Sequence, residues 1–81
     1  MDNYDRDKVN EVVLALMYLT MHDSCRAWKG FDWDTLDRLY EKGWIDNPRG
    51  KARSVVLTEE GLERSTRFFE HYFGASDTPQ E

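Results

Sequence analysis

The run Leu36-Asp37-Arg38-Leu39-Tyr40-Glu41-Lys42-Gly43-Trp44-Ile45, followed after a polar turn by Arg53-Ser54-Val55-Val56-Leu57-Thr58-Glu59-Glu60-Gly61-Leu62, decides the fold. Leu36, Leu39 and Tyr40 have the spacing of a helix's inner face, with Trp33 one turn earlier. Gly43 stands where such a helix ends in the left-handed conformation that glycine adopts freely. Trp44 then falls at the position that packs back onto Leu39. Trp44-Ile45 begins a strand, Asp46-Asn47-Pro48-Arg49-Gly50 is turn chemistry, and Arg53 to Leu57 returns as a second strand with β-branched Val55 and Val56. Thr58 is the N-cap of the next helix, with Glu59 and Glu60 at its positive end. Gly61 occupies the place where a capping-box Glu or Gln would reach back, so the box is incomplete.

Outward from this stretch, a first helix begins at Asp5 or Asp7, both good N-caps. Val9, Val12, Val13, Leu16 and Met17 mark its buried face. Leu14, Ala15, Tyr18, Leu19 and Met21 fill the other directions, so from Val12 on it is apolar almost all round. A helix of that kind is central or shared with another chain. Three helices and a hairpin give little to surround it, and a homodimer is the expectation. His22 to Phe31 reads as a loop or irregular short helix, and Asp32 or Asp34 caps helix two. Helix three presents Leu62, Phe69 and Phe73, with Phe68 and Tyr72 widening the stripe. Its pairs Glu60–Arg64 and Glu63–Arg67 contribute roughly a few tenths of a kcal/mol each. Gly74 ends it. The predicted fold class is α+β and winged-helix-like, with three main helices and a two-stranded β-hairpin. Residues 1–74 form a single domain and 75–81 a disordered tail.

Composition agrees with one globular unit. The chain has 81 residues, 40% hydrophobic and 33% charged, which is neither a disordered nor a membrane-spanning balance. Its net charge of −5 argues against a surface that seeks phosphate everywhere. The charge is uneven: residues 26–53 carry +2, and the flanks carry −3 and −4. The single cysteine, Cys25, allows no intrachain disulfide and suits a cytoplasmic location. The acidic start Met1 to Asp5 lacks a signal-peptide pattern.

Two resemblances follow from these residues. Residues 36–62 resemble the back half of winged-helix domains of small bacterial regulators. More of the chain is similar to a family of short bacterial proteins that is a domain of unknown function. The runs Arg26-Ala27-Trp28-Lys29-Gly30-Phe31-Asp32-Trp33-Asp34 and Gly50-Lys51-Ala52-Arg53-Ser54-Val55-Val56-Leu57-Thr58-Glu59-Glu60-Gly61 carry that likeness. It implies a small bacterial protein and transfers no activity.

Reactive chemistry is sparse. His22 and Cys25 are two ligands where a structural zinc site needs four, and His71 is far along the chain. Cys25 beside Arg26 has no base supplied by the pattern. Asp32, Asp34 and Asp37 could hold magnesium, but at a helix start they cap and complement the dipole. Glycine-rich phosphate loops, catalytic serine motifs and metal-binding helix motifs are absent. No catalytic residue, metal ligand or cofactor is expected, and the chain is read as non-enzymatic.

Two binding surfaces remain. Arg49, Lys51 and Arg53 cluster at the hairpin, and Arg26 and Lys29 could extend them into a basic wing that tracks nucleic-acid phosphates. Helix two, the recognition helix of a DNA reader, turns Asp34, Asp37, Arg38, Glu41 and Lys42 outward, three acids against two bases, which suits a groove walled by phosphates poorly. Trp28, Phe31 and Trp33 could stack single strands, but in a small domain they read first as core. The favoured expectation is a protein–protein interaction module, homodimeric through Leu14, Tyr18, Met21, Phe68 and Tyr72, with an unknown protein partner. The alternative is a weak nucleic-acid-binding transcriptional regulator using the basic wing.

Overall fold

A computed structural model describes residues 4–23, 25–50 and 52–74. The order is α1 (Arg6–Met17), a 3-10 turn (Tyr18–Thr20), β1 (Arg26–Trp28), α2 (Trp33–Glu41), β2 (Ser54–Val56) and α3 (Glu59–Phe73). This is an α+β fold, three helices with a two-stranded antiparallel sheet, and it is compatible with a winged-helix-like arrangement. The tail expected at 75–81 lies outside the described residues.

Each helix start is fixed by a side-chain cap. Asp5 Oδ1 accepts from the Lys8 N–H at 3.0 Å. Asp32 Oδ2 accepts from the N–H and the hydroxyl of Thr35, both at 3.0 Å. Thr58 Oγ1 accepts from the Gly61 N–H at 3.0 Å and donates to the Gly43 carbonyl at 2.6 Å. The end of α2 is the expected glycine ending: Gly43 has φ +79°, its N–H reaches Tyr40 O at 2.9 Å, and the Trp44 N–H reaches Leu39 O at 3.0 Å. Gly61 explains the incomplete capping box. A Cβ there would overlap the Trp44 carbonyl, so the start of α3 packs directly on the chain leaving α2.

The strand pairing differs from the expected hairpin. β1 lies within the segment read as loop or short helix, and it pairs with β2 in the register Arg26↔Val56, Ala27↔Val55, Trp28↔Ser54. The Trp44–Ile45 strand is reduced to one bridge, Ile45↔Leu57, with the Asp46 N–H donating to Val56 O at 2.8 Å. β2 therefore runs between β1 and that short segment.

The core joins Leu14, Met17, Ala27, Leu36, Leu39, Trp44, Ile45, Val55 and Leu57. Each fully buried leucine among them contributes about 1.5–3 kcal/mol of hydrophobic stabilisation. The buried face of α1 is Asn10, Leu14, Ala15 and Met17, while the expected Val9, Val12, Val13 and Leu16 are half-buried. α3 packs chiefly against α1. It brings Gly61 and Ser65 inward, and the buried Ser65 hydroxyl donates to Leu14 O at 2.8 Å. The inner face of α2 is corrected as well. Leu36 and Leu39 are buried, but Thr35 takes the place expected of Tyr40 and Trp33, which stand 46% and 48% exposed. Thr35 can be buried because its hydroxyl is satisfied: it donates to Asp32 and accepts from Arg38 Nη2 at 3.0 Å. Arg38 Nε in turn donates to the buried Asn10 Oδ1 at 2.8 Å. Arg38 is thus a half-buried tie between α1 and α2, not the outward side chain expected.

Candidate functional site

Two groups of exposed aromatic side chains stand out among the described residues. The first grows from the alternation of β1. Ala27 points into the core at 0% exposure, which turns Arg26 and Trp28 outward. Trp28 is 51% exposed, so the core reading of that indole is overturned, as it is for Trp33. Phe31 does pack against the core. Trp28 is held by its strand, by a bond from its backbone N–H to Thr20 Oγ1 at 3.1 Å, and by the His22 ring 5.7 Å away.

Beside it opens a groove of about 400 Å³ lined by Trp28, Lys29, Gly30 and Arg53. The Lys29 ammonium donates to the carbonyls of Pro48 at 2.6 Å and Gly50 at 3.0 Å, pinning the loop after α2. It also lies 5.7 Å from the Trp33 ring centre. Arg49 stacks over the same ring at 4.9 Å and pairs with Asp37 at 2.6 Å. The expected basic wing is therefore divided. The charge of Arg49 is met by Asp37, whereas Arg26 and Arg53 are exposed and make no ion pair among the described residues. Lys51 lies outside the described residues.

The acidic cluster is accounted for structurally in part: Asp32 caps α2 and Asp37 holds Arg49. Among the described residues no three His, Cys, Asp or Glu side chains converge as a metal site. The ring Nδ1 of His22 is bonded to Thr20 O at 2.9 Å, and Cys25 is a half-buried free thiol.

The second surface lies where α1 runs out against the end of α3. Tyr18 is 46% exposed, Leu19 65% and Phe73 46%. The Tyr18 and Phe69 rings are 4.8 Å apart and Phe69 and Phe73 5.5 Å, so the aromatics form one continuous band. Of the expected interface residues, Tyr18 belongs to this band. Leu14 does not: it is fully buried in the core of the chain itself. Met21 and Phe68 pack partly against the core. Tyr72 is half-buried and donates to Glu11 Oε1 at 2.6 Å. That bond, then burial and the nearby carboxylates, raise the Tyr72 pKa above its ordinary value. Leu19, Phe69 and Phe73 were absent from the expected interface. The signal that finds Phe69 and Phe73 is their i, i+4 spacing on one face of helix three.

Residues 5–75 match a domain of unknown function, DUF6429. The chain belongs to this family. Both resembling runs, the three α-helices, both strands and both aromatic surfaces lie within the matched DUF6429 stretch. The chain is also similar to the uncharacterized protein y4hR of Sinorhizobium fredii, 54% identical over 69 residues that cover 85% of this chain and 93% of that protein. No solved structure matches the chain. No helix among the described residues is long and apolar enough to cross a membrane.

Proposed function

We propose that this DUF6429 chain is a non-enzymatic protein–protein interaction module of the cytoplasm that pairs with a second copy of itself. The observation that carries the reading is the continuous band of Tyr18, Phe69 and Phe73, with Tyr18 and Phe73 each about half exposed and Leu19, next to Tyr18 in the chain, exposed further. Contiguous exposed apolar surface on a small domain marks an interaction site more often than scattered exposed leucines do. Aromatic side chains also bring large contact area to an interface core. In this reading α1 and α3 supply the interface, but through their adjoining ends and not through the ring of α1.

Sedimentation velocity tests it. The chain is expected to sediment as a dimer at high micromolar concentration, and Leu19→Glu or Phe73→Asp to yield a monomer with unchanged circular dichroism. A wild-type chain that stays monomeric at that concentration would defeat the self-pairing.

A further inference from the structure

We infer that the outer face of β1, centred on Trp28 and Arg53, is a stacking platform for single-stranded nucleic acid. The platform draws on β1 and the loop after α2, whereas the aromatic band draws on the ends of α1 and α3, so different substitutions test the two readings.

Three observations carry it. First, Trp28 presents about half its surface to solvent from a paired strand that fixes its backbone. A base needs an accessible aromatic face whose position does not have to be organised on binding. Second, the groove beside that indole is lined by two cations and no acid. Lys29 spends two of its ammonium donors on the Pro48 and Gly50 carbonyls, which leaves one donor and the whole charge for a phosphate. Arg53 keeps its guanidinium free of ion pairs among the described residues. Gly30 keeps the wall low, since a Cβ there would meet nothing within 4 Å. Third, Lys29 connects this groove to a second exposed indole, Trp33. Aromatic faces interleaved with cations are what a strand of stacked bases and phosphates complements.

The same geometry disfavours a duplex. α2 turns Asp34, Asp37 and Glu41 toward the surface, and Arg49 is neutralised by Asp37. A helix bearing those acids is repelled by the two phosphate walls of a major groove. A single strand needs only the narrow track along Trp28, Lys29 and Arg53.

The test is fluorescence anisotropy of a labelled oligothymidylate and of a duplex of equal length, titrated with the full chain from low to physiological salt. The single strand is expected to bind and the duplex to bind more weakly. With two or three phosphates contacted, the plot of log affinity against log salt should have a slope of about −1.4 to −2. Trp28→Ala should weaken binding about tenfold, and Trp28→Phe should restore most of it by returning a stacking face. Arg53→Ala should weaken binding and flatten the salt slope. Circular dichroism of each variant separates lost binding from lost fold. Absence of binding at low salt, equal affinity for the duplex, or a folded Trp28→Ala variant that binds like wild type would each overturn the assignment. So would a surface that captures a protein in a Trp28-dependent way and no oligonucleotide.

Discussion

Two glycines perform different tasks, and substitution separates them. Gly43 sits at φ +79° with open space where a Cβ would be, so Gly43→Ala meets only the left-handed backbone penalty, about 1–2 kcal/mol. Gly61 has ordinary helical backbone, but its missing Cβ is where the Trp44 carbonyl lies. Gly61→Ala must push α3 off the chain leaving α2. It thereby disturbs the bond from the Thr58 N–H to Trp44 O at 3.0 Å and the Thr58 hydroxyl bridge to Gly43. The expected loss is at the top of the about 1–3 kcal/mol typical of overpacked sites, or beyond it. Urea denaturation of the two variants checks this. If Gly61→Ala were no less stable than Gly43→Ala, the close approach would not be a constraint.

At the scale of elements, α1 and α3 are tied by Ser65 to Leu14 and by Tyr72 to Glu11. The second tie has a pH signature. The Tyr72 pKa is raised in the folded chain, chiefly by its bond to Glu11, so the fold favours the neutral phenol. The stabilisation is complete below the unfolded tyrosine pKa of about 10 and is lost as pH rises through the higher folded value. Tyr72→Phe should therefore lower the urea midpoint at neutral pH, and its deficit against wild type should shrink above about pH 10. A deficit that stays constant through the alkaline range would mean that the bond adds nothing. Much of this level was legible in the sequence. The caps Asp5, Asp32 and Thr58, the Gly43 ending and the pair Glu60–Arg64 all depend on partners three to five residues away. What the sequence did not disclose depends on distant partners. Three residues of β1 are too few to show a period, and their partner strand lies beyond α2. Hydrophobic spacing favours Tyr40 over Thr35 because it cannot register a hydroxyl satisfied jointly by Asp32 and an Arg38 that is anchored on Asn10. The candidate site was legible in its members more than in its placement. Trp28, Lys29 and Arg53 stand out by residue type, but only the register of β1 decides that Trp28 faces solvent.

At the scale of the whole molecule, mean charge and local charge point in opposite directions. The chain carries −5, and residues 26–53 carry +2. Screening confines exposed charges to a reach of about 8–10 Å at ordinary salt, so a small solute beside an indole feels its neighbours before it feels the average. Trp28 shares a groove with Lys29 and Arg53, and the Lys29 ammonium also lies 5.7 Å from the Trp33 ring centre. Trp44 is only 7% exposed and packs its ring near Phe68. Tryptophan fluorescence should then show a higher ratio of iodide to caesium quenching than a neutral free indole does at matched ionic strength, against the sign of the net charge. Replacing both Trp28 and Trp33 with Phe should leave the emission of Trp44 alone, which neither ion reaches well. Stern–Volmer titrations of the two proteins decide the matter. A ratio equal to or below that of the free indole in the wild-type chain would mean that the acidic flanks govern the field at both indoles, and the groove would then lack the positive potential that a phosphate requires.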